Sequence, residues 1–145
     1  MKNIVLLLIY LLPFCEIADE KYDNILIGEH LISLQWISWK NFGTAKITKT
    51  DTDGVYKIIG IQENMDKSEF LKIDGTITPN NEKELIFHGK IETQISFINQ
   101  GNPCLREGTY TFRVTGQRKY WRLKEMYNPC RKDSLVDYID VFWKQ

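Results

Sequence analysis

The sequence predicts an all-β protein, a single antiparallel up-and-down barrel of about eight strands, with a β-sandwich as the alternative. Three observations carry this. From residue 31 onward apolar and polar residues alternate in short runs, the period of strands with one dry and one wet face. Each run stops at Gly, Pro, Asn or Asp, at spacings suited to hairpin connections. No helical period of ten or more residues is evident beyond the N-terminal leader. In a chain of 145 residues, closing the sheet on itself gives one core and removes the exposed edges of an open sheet.

The leader "MKNIVLLLIYLLPFCEIADE" sets one Lys ahead of a nine-residue apolar run, Ile4 to Leu12. A helix needs roughly 20 apolar residues to span a bilayer, so this run fits the core of an export signal and no transmembrane span is expected. The expected division is a signal peptide over 1–18 and a single barrel domain over 25–145, exported to the periplasm, the envelope or the medium. A lipid anchor on Cys15 is the weaker alternative, because bulky Phe14 precedes it where a small residue is the rule. Cys104 and Cys130 remain as an even pair, and in an oxidising compartment a disulfide is the expectation. Two cysteines with His30 and His88 distant in sequence do not make a zinc ligand set; no metal and no cofactor is expected.

The elements follow in order. "LISLQWISW" reads as the first strand, with Trp36 and Trp39 on opposite faces, and "NFG" ends it. "TAKITKT" runs to "DTDG", where Asp53-Gly54 signals a hairpin turn and the later oxygen ligands of a calcium loop are missing. "VYKIIGIQ" and the polar "ENMDKSE" lead to "FLKIDGTIT", with Leu71, Ile73 and Ile77 on one side and Lys72, Asp74 and Thr76 on the other. In "ELIFHGKIETQISF", Leu85, Phe87, Ile91 and Ile95 oppose His88, Lys90, Glu92 and Gln94. In the final strand, "DYIDVFW", Ile139, Val141 and Trp143 oppose Tyr138, Asp140 and Phe142.

Between these lies "GTYTFRVTGQRKYWRLKEM", a hairpin turning at Gln117-Arg118. That register pairs Val114 with Trp121 and Phe112 with Leu123 on the core face, and Arg113 with Arg122 on the other. Like charges directly opposite are destabilising. Two compensations are open: the carboxylate of Asp140, if the last strand lies alongside, or a bound anion held by guanidinium forks. The chain holds 19 basic and 19 acidic residues, yet Arg106 to Lys132 carries eight cations against Glu107 and Glu125 alone. Such an asymmetry bears on where charged partners land.

No nucleophile elbow, phosphate-cradling glycine loop or paired-histidine metal motif is present, and the expectation is a protein that is not an enzyme. "RKYWRLK" mixes cations and aromatics as single-strand nucleic-acid surfaces do, but an export signal argues against that partner. Two functions remain. One is a hollow barrel binding a small apolar or anionic ligand or a lipid, lined by Trp36, Tyr110 and Trp121. The other is an envelope interaction module with a filled barrel, whose Arg113, Tyr120, Arg122 and Lys124 meet an acidic partner.

Strand count, size and leader resemble those of small exported calycin-like barrels, the group that includes lipocalins and avidins. "LQWISWKNFG", "GTYTFRVTGQRKYWRLKEMYNPC" and "DYIDVFW" are also similar to stretches in a family of small exported proteins from Bacteroidota. The calycin-like resemblance implies an interior open at one end and a small apolar ligand, and it carries over no site residue.

Overall fold

The alternation closes into a barrel in the computed structural model, which describes residues 16–145. A helix, α1 (Glu16–Leu26), precedes β1 (Gly28–Leu34), β2 (Gly43–Lys49), β3 (Tyr56–Glu63), β4 (Phe70–Asn81), β5 (Glu84–Gln94), β6 (Cys104–Arg113), β7 (Tyr120–Leu123) and β8 (Ile139–Phe142). Each strand pairs antiparallel with the next, and β8 returns to β1. Residues 1–15 of the expected leader, Cys15 among them, lie outside the described residues. Among the described residues no helix is long and apolar enough to cross a membrane.

The period-two pattern sorts the wall as its residues dictate. Ile47, Ile58, Leu71, Ile73, Phe87, Ile91, Phe112, Trp121, Leu123 and Val141 point inward and are buried in one continuous core. Lys46, Lys72, Asp74, Lys90, Glu107 and Arg113 alternate with them and face out into solvent. A membrane-spanning barrel has the reverse arrangement, apolar outside and polar within. Closing so small a cylinder demands sharp bends, and Gly75, Gly89 and Gly108 pair directly across β4, β5 and β6. A Cβ on Gly75 would fall 2.4 Å from the His88 carbonyl and 2.6 Å from the Phe87 ring, so that ring fills the space a side chain would need.

Both ends are covered. At one, α1 lays Leu26 into the core, and the Tyr56 hydroxyl donates to Asp23 at 2.7 Å while Lys49 pairs with the same carboxylate. His30, buried among β1 neighbours, lies 2.7 Å from the carbonyls of Leu26 and of Phe142 through its two ring nitrogens, linking α1 to β8. At the other end Ile95 and Ile98 of the β5–β6 connection are buried, and Gln62 accepts from Leu34 N at 2.7 Å. Cys104 and Cys130 form the expected disulfide across 26 residues, which on loop length contributes about 3–4 kcal/mol.

Three sequence expectations are corrected. Residues 16–26 form a helix that the sequence reading did not assign, and among its described side chains Tyr22, Ile25 and Leu26 pack against the core. The first strand stops at Leu34, so Trp36 and Trp39 stand in the β1–β2 loop instead of on two faces of a strand. An interior open at one end is replaced by a packed one, because α1 and the long loops supply the apolar groups that cover each mouth.

Lys49 and Tyr56 hold the Asp23 carboxyl below the ordinary carboxylate range through their hydrogen bonds. A depressed carboxylate contributes stability at neutral pH that is lost as pH falls through its folded-state value. Asp23→Asn is therefore expected to lower the melting temperature at pH 7, and the gap from wild type to shrink as pH drops below the unfolded value of about 3.9. Melting curves across pH 2–7 check this; a gap that stays constant into acid would refute the role given to Asp23.

Candidate interaction site

The hairpin of β6 and β7 adopts the register its sequence predicts, with Phe112 opposite Leu123 and Arg113 opposite Arg122. β8 lies alongside in a register that sets Asp140 directly across from Arg122. The guanidinium forks onto that carboxylate, Nε to Oδ1 at 2.7 Å and Nη2 to Oδ2 at 2.8 Å. Its planar face stacks over the Tyr138 ring, 4.2 Å to the centroid, and the Tyr120 ring lies 5.1 Å away on the same face of the wall. The hydrogen bonds from Arg122 to Asp140 raise the guanidinium pKa beyond its ordinary value. Asp140 is buried although it points outward, so the pair is a shielded one and gives Arg122 its counter-charge.

Arg113 is left over. It is exposed, and among the described residues no hydrogen bond or ion pair compensates it. A depression of about 280 Å³ opens beside it on the outer wall, lined by Arg113, Thr115, Arg118, Arg122, Lys124 and Tyr138, with Leu123 and Met126 as apolar floor. Arg118 is steadied by a 3.3 Å bond to the Thr115 hydroxyl, and Lys124 is exposed. The depression thus collects three uncompensated cations, Arg113, Arg118 and Lys124, around a fourth that already has its carboxylate. Tyr120 sits next to it on β7, where the Arg118 guanidinium lies 5.8 Å from its ring.

The residues expected to line an internal cavity are placed otherwise. Trp121 is fully buried, donates Nε1 to the Glu82 carbonyl at 2.9 Å, and packs against His30 and Trp143. Tyr110 is partly buried beside Phe87. Trp36 is partly buried at the loop end, where Nε1 donates to Asp137 Oδ1 at 3.0 Å and its ring meets Phe97 edge-on. The three lie in different parts of the core.

Sequence reasoning missed Arg106. Counted among the surface cations, it points inward and forms a buried pair with Asp137 at 2.9 Å, the two side chains 2% and 1% exposed. Arg106 Nη2 also donates to the carbonyls of Met126 and Tyr127, and Asn128 Nδ2 donates to Asp137 Oδ2 at 2.9 Å. The signal was available: Phe112, Tyr110 and Gly108 face in, and the same period two residues further reaches Arg106. Asp74, on the outer face as expected, pairs with Lys57 and stands opposite Lys90.

With the geometry in place, comparison with known proteins adds the following. The model of the PM1083 family matches residues 15–143. A protein of Pasteurella multocida (strain Pm70), entitled "Uncharacterized protein PM1083", is 48% identical over 123 residues, covering 85% of this chain and 76% of its own length. That relative comes from a gammaproteobacterium, which corrects the expected likeness to a Bacteroidota family. No solved structure matches.

The two facing arginines carry opposite expectations. Asp140→Asn keeps the shape but strands a partly buried guanidinium, and is expected to cost roughly 2 kcal/mol in urea unfolding. Arg113→Ala removes a like-charge neighbour from the surface and is expected to change stability by no more than about 0.5 kcal/mol. Equal losses from both substitutions would show that Arg113 has a structural partner.

Proposed function

The chain belongs to the PM1083 family, and from that premise we propose that it is an exported, non-enzymatic interaction module of the cell envelope whose β6–β7 wall holds an acidic partner. The observation that carries this reading is the uncompensated Arg113 in a depression with Arg118 and Lys124. A cation left without a counter-charge beside a neutralised Arg122 offers a guanidinium fork to an incoming carboxylate or phosphate. Met126 and Tyr138 give the same depression apolar contact area, the mixture found at binding surfaces. Export is supported by the leader's apolar run and by a disulfide suited to an oxidising compartment. The competing reading, a ligand inside the barrel, is disfavoured by an interior already occupied by its own side chains.

The test uses a fluorescein-labelled glutamate-rich decapeptide and anisotropy at low salt. Wild type is expected to bind saturably, with affinity falling as salt is raised. Arg113→Ala combined with Lys124→Ala is expected to weaken binding at least tenfold, while Lys46→Ala on the far wall leaves it unchanged. Equal binding by all three proteins would defeat the assignment, and so would an apolar molecule found inside the folded protein by native mass spectrometry.

A further inference from the structure

The connections that follow β1, β3, β5 and β7 gather at one end of the barrel, because neighbouring strands run antiparallel in chain order. Each of the four presents a large apolar side chain to solvent. Trp39 is 63% exposed on the first, Met65 100% on the second, Phe97 55% on the third and Tyr127 70% on the fourth. Phe42 and Leu105 stand at the margins of the same end. The loops at the opposite end carry no exposed large apolar residue among those described. A lone exposed apolar residue needs no explanation, but one on every loop of a single end does.

The charges of these loops are sorted as well. Lys40, Lys67 and Lys132 are exposed there with no ion-pair partner among the described residues. Several nearby carboxylates are engaged locally: Asp66 accepts from the Ser68 amide and hydroxyl, Glu125 from the Thr111 amide, and Asp133 pairs with Arg131. Glu63 and Glu69, partly buried at the base of the second loop, are the carboxylates on that loop without such a bond.

We propose that this end of the barrel docks on an anionic lipid surface. Four side chains standing on separate loops would each need a matched pocket in a protein partner. A bilayer interface instead accepts aromatic and methionine side chains independently, and acidic headgroups meet the lysines between them. The outer wall, charged and polar apart from Ile59 and Ile61 on β3, then stays in water, so insertion is confined to the loop tips. This inference goes beyond the acidic-partner reading and does not depend on it, since the anchoring groups are Trp39, Met65, Phe97 and Tyr127, not Arg113.

The experiment is co-sedimentation of the disulfide-intact protein with vesicles of phosphatidylcholine alone and with one quarter phosphatidylglycerol, followed also by tryptophan emission. Wild type is expected to bind the anionic vesicles at least tenfold more strongly than the neutral ones, with a blue shift of emission. Trp39→Ser combined with Met65→Ser, both on exposed loop positions, is expected to abolish the shift and lower binding at least tenfold at unchanged melting temperature. Lys67→Glu with Lys132→Glu is expected to erase the anionic preference, and Lys46→Ala, on the outer wall of β2, to bind as wild type does. Absence of wild-type binding to either vesicle overturns the proposal. So does binding that survives in the Trp39/Met65 variant, or that vanishes in Lys46→Ala alone.

Discussion

The barrel closes through four residues. β8, Ile139–Phe142, is the one strand that must pair with both β7 and β1, and neither ladder extends beyond three residue pairs. So short a strand gains little from backbone bonds, and its hold comes from side chains on every side. Ile139 and Val141 enter the core. Asp140 faces Arg122 on one neighbour and Ser33 on the other. Phe142 stacks on Phe42 at 4.9 Å, and its carbonyl meets His30. The arrangement that compensates Arg122 is therefore the same one that fastens the seam, which is why Arg113, one strand further away, has no share in it.

The loop end is closed by polar means. A buried ion pair seldom stabilises on balance, because desolvation offsets attraction, but it does fix geometry once each partner is hydrogen-bonded. Asp137 receives bonds from Arg106, Trp36 and Asn128, and so collects β6, the β1–β2 loop and the long β7–β8 connection at one point. Gln35 extends the pattern, donating to the Val136 carbonyl and accepting from the Tyr138 amide like one more rung of the ladder between β1 and β8. With that end tied and α1 over the other, both mouths of the barrel are covered.

Much of this was legible from residues read two at a time. The hairpin register followed from Phe112 and Leu123, since any slip by one would have buried arginines; the Asp140 contact was one of two compensations that register left open, and it reaches Arg122 alone. The disulfide was legible from compartment and parity. What stayed hidden depended on three-dimensional closure. Arg106 was hidden because a cation inside a strand is read as surface until Asp137, 31 positions later in the numbering, is known to meet it. Trp36 was hidden because "LQWISW" carries strand-like residues through a turn whose position is set by Gln62 reaching back to Leu34. The helix was hidden because eleven residues with a narrow apolar stripe owe their helicity to packing on the barrel rather than to propensity.

The first and last strands are neighbours, and Lys144 donates to the Ile27 carbonyl at 2.9 Å, so the chain enters and leaves the barrel at the same rim. Anything attached through either terminus is held there, a full barrel height of roughly 30 Å from the loop tips, taking eleven residues of a tilted strand such as β5. The rim where the chain enters and leaves and the loop tips that carry Trp39 and Met65 thus lie at opposite ends of the barrel. A linker could join the two termini, or carry a second module, without disturbing the face that Trp39 and Met65 present.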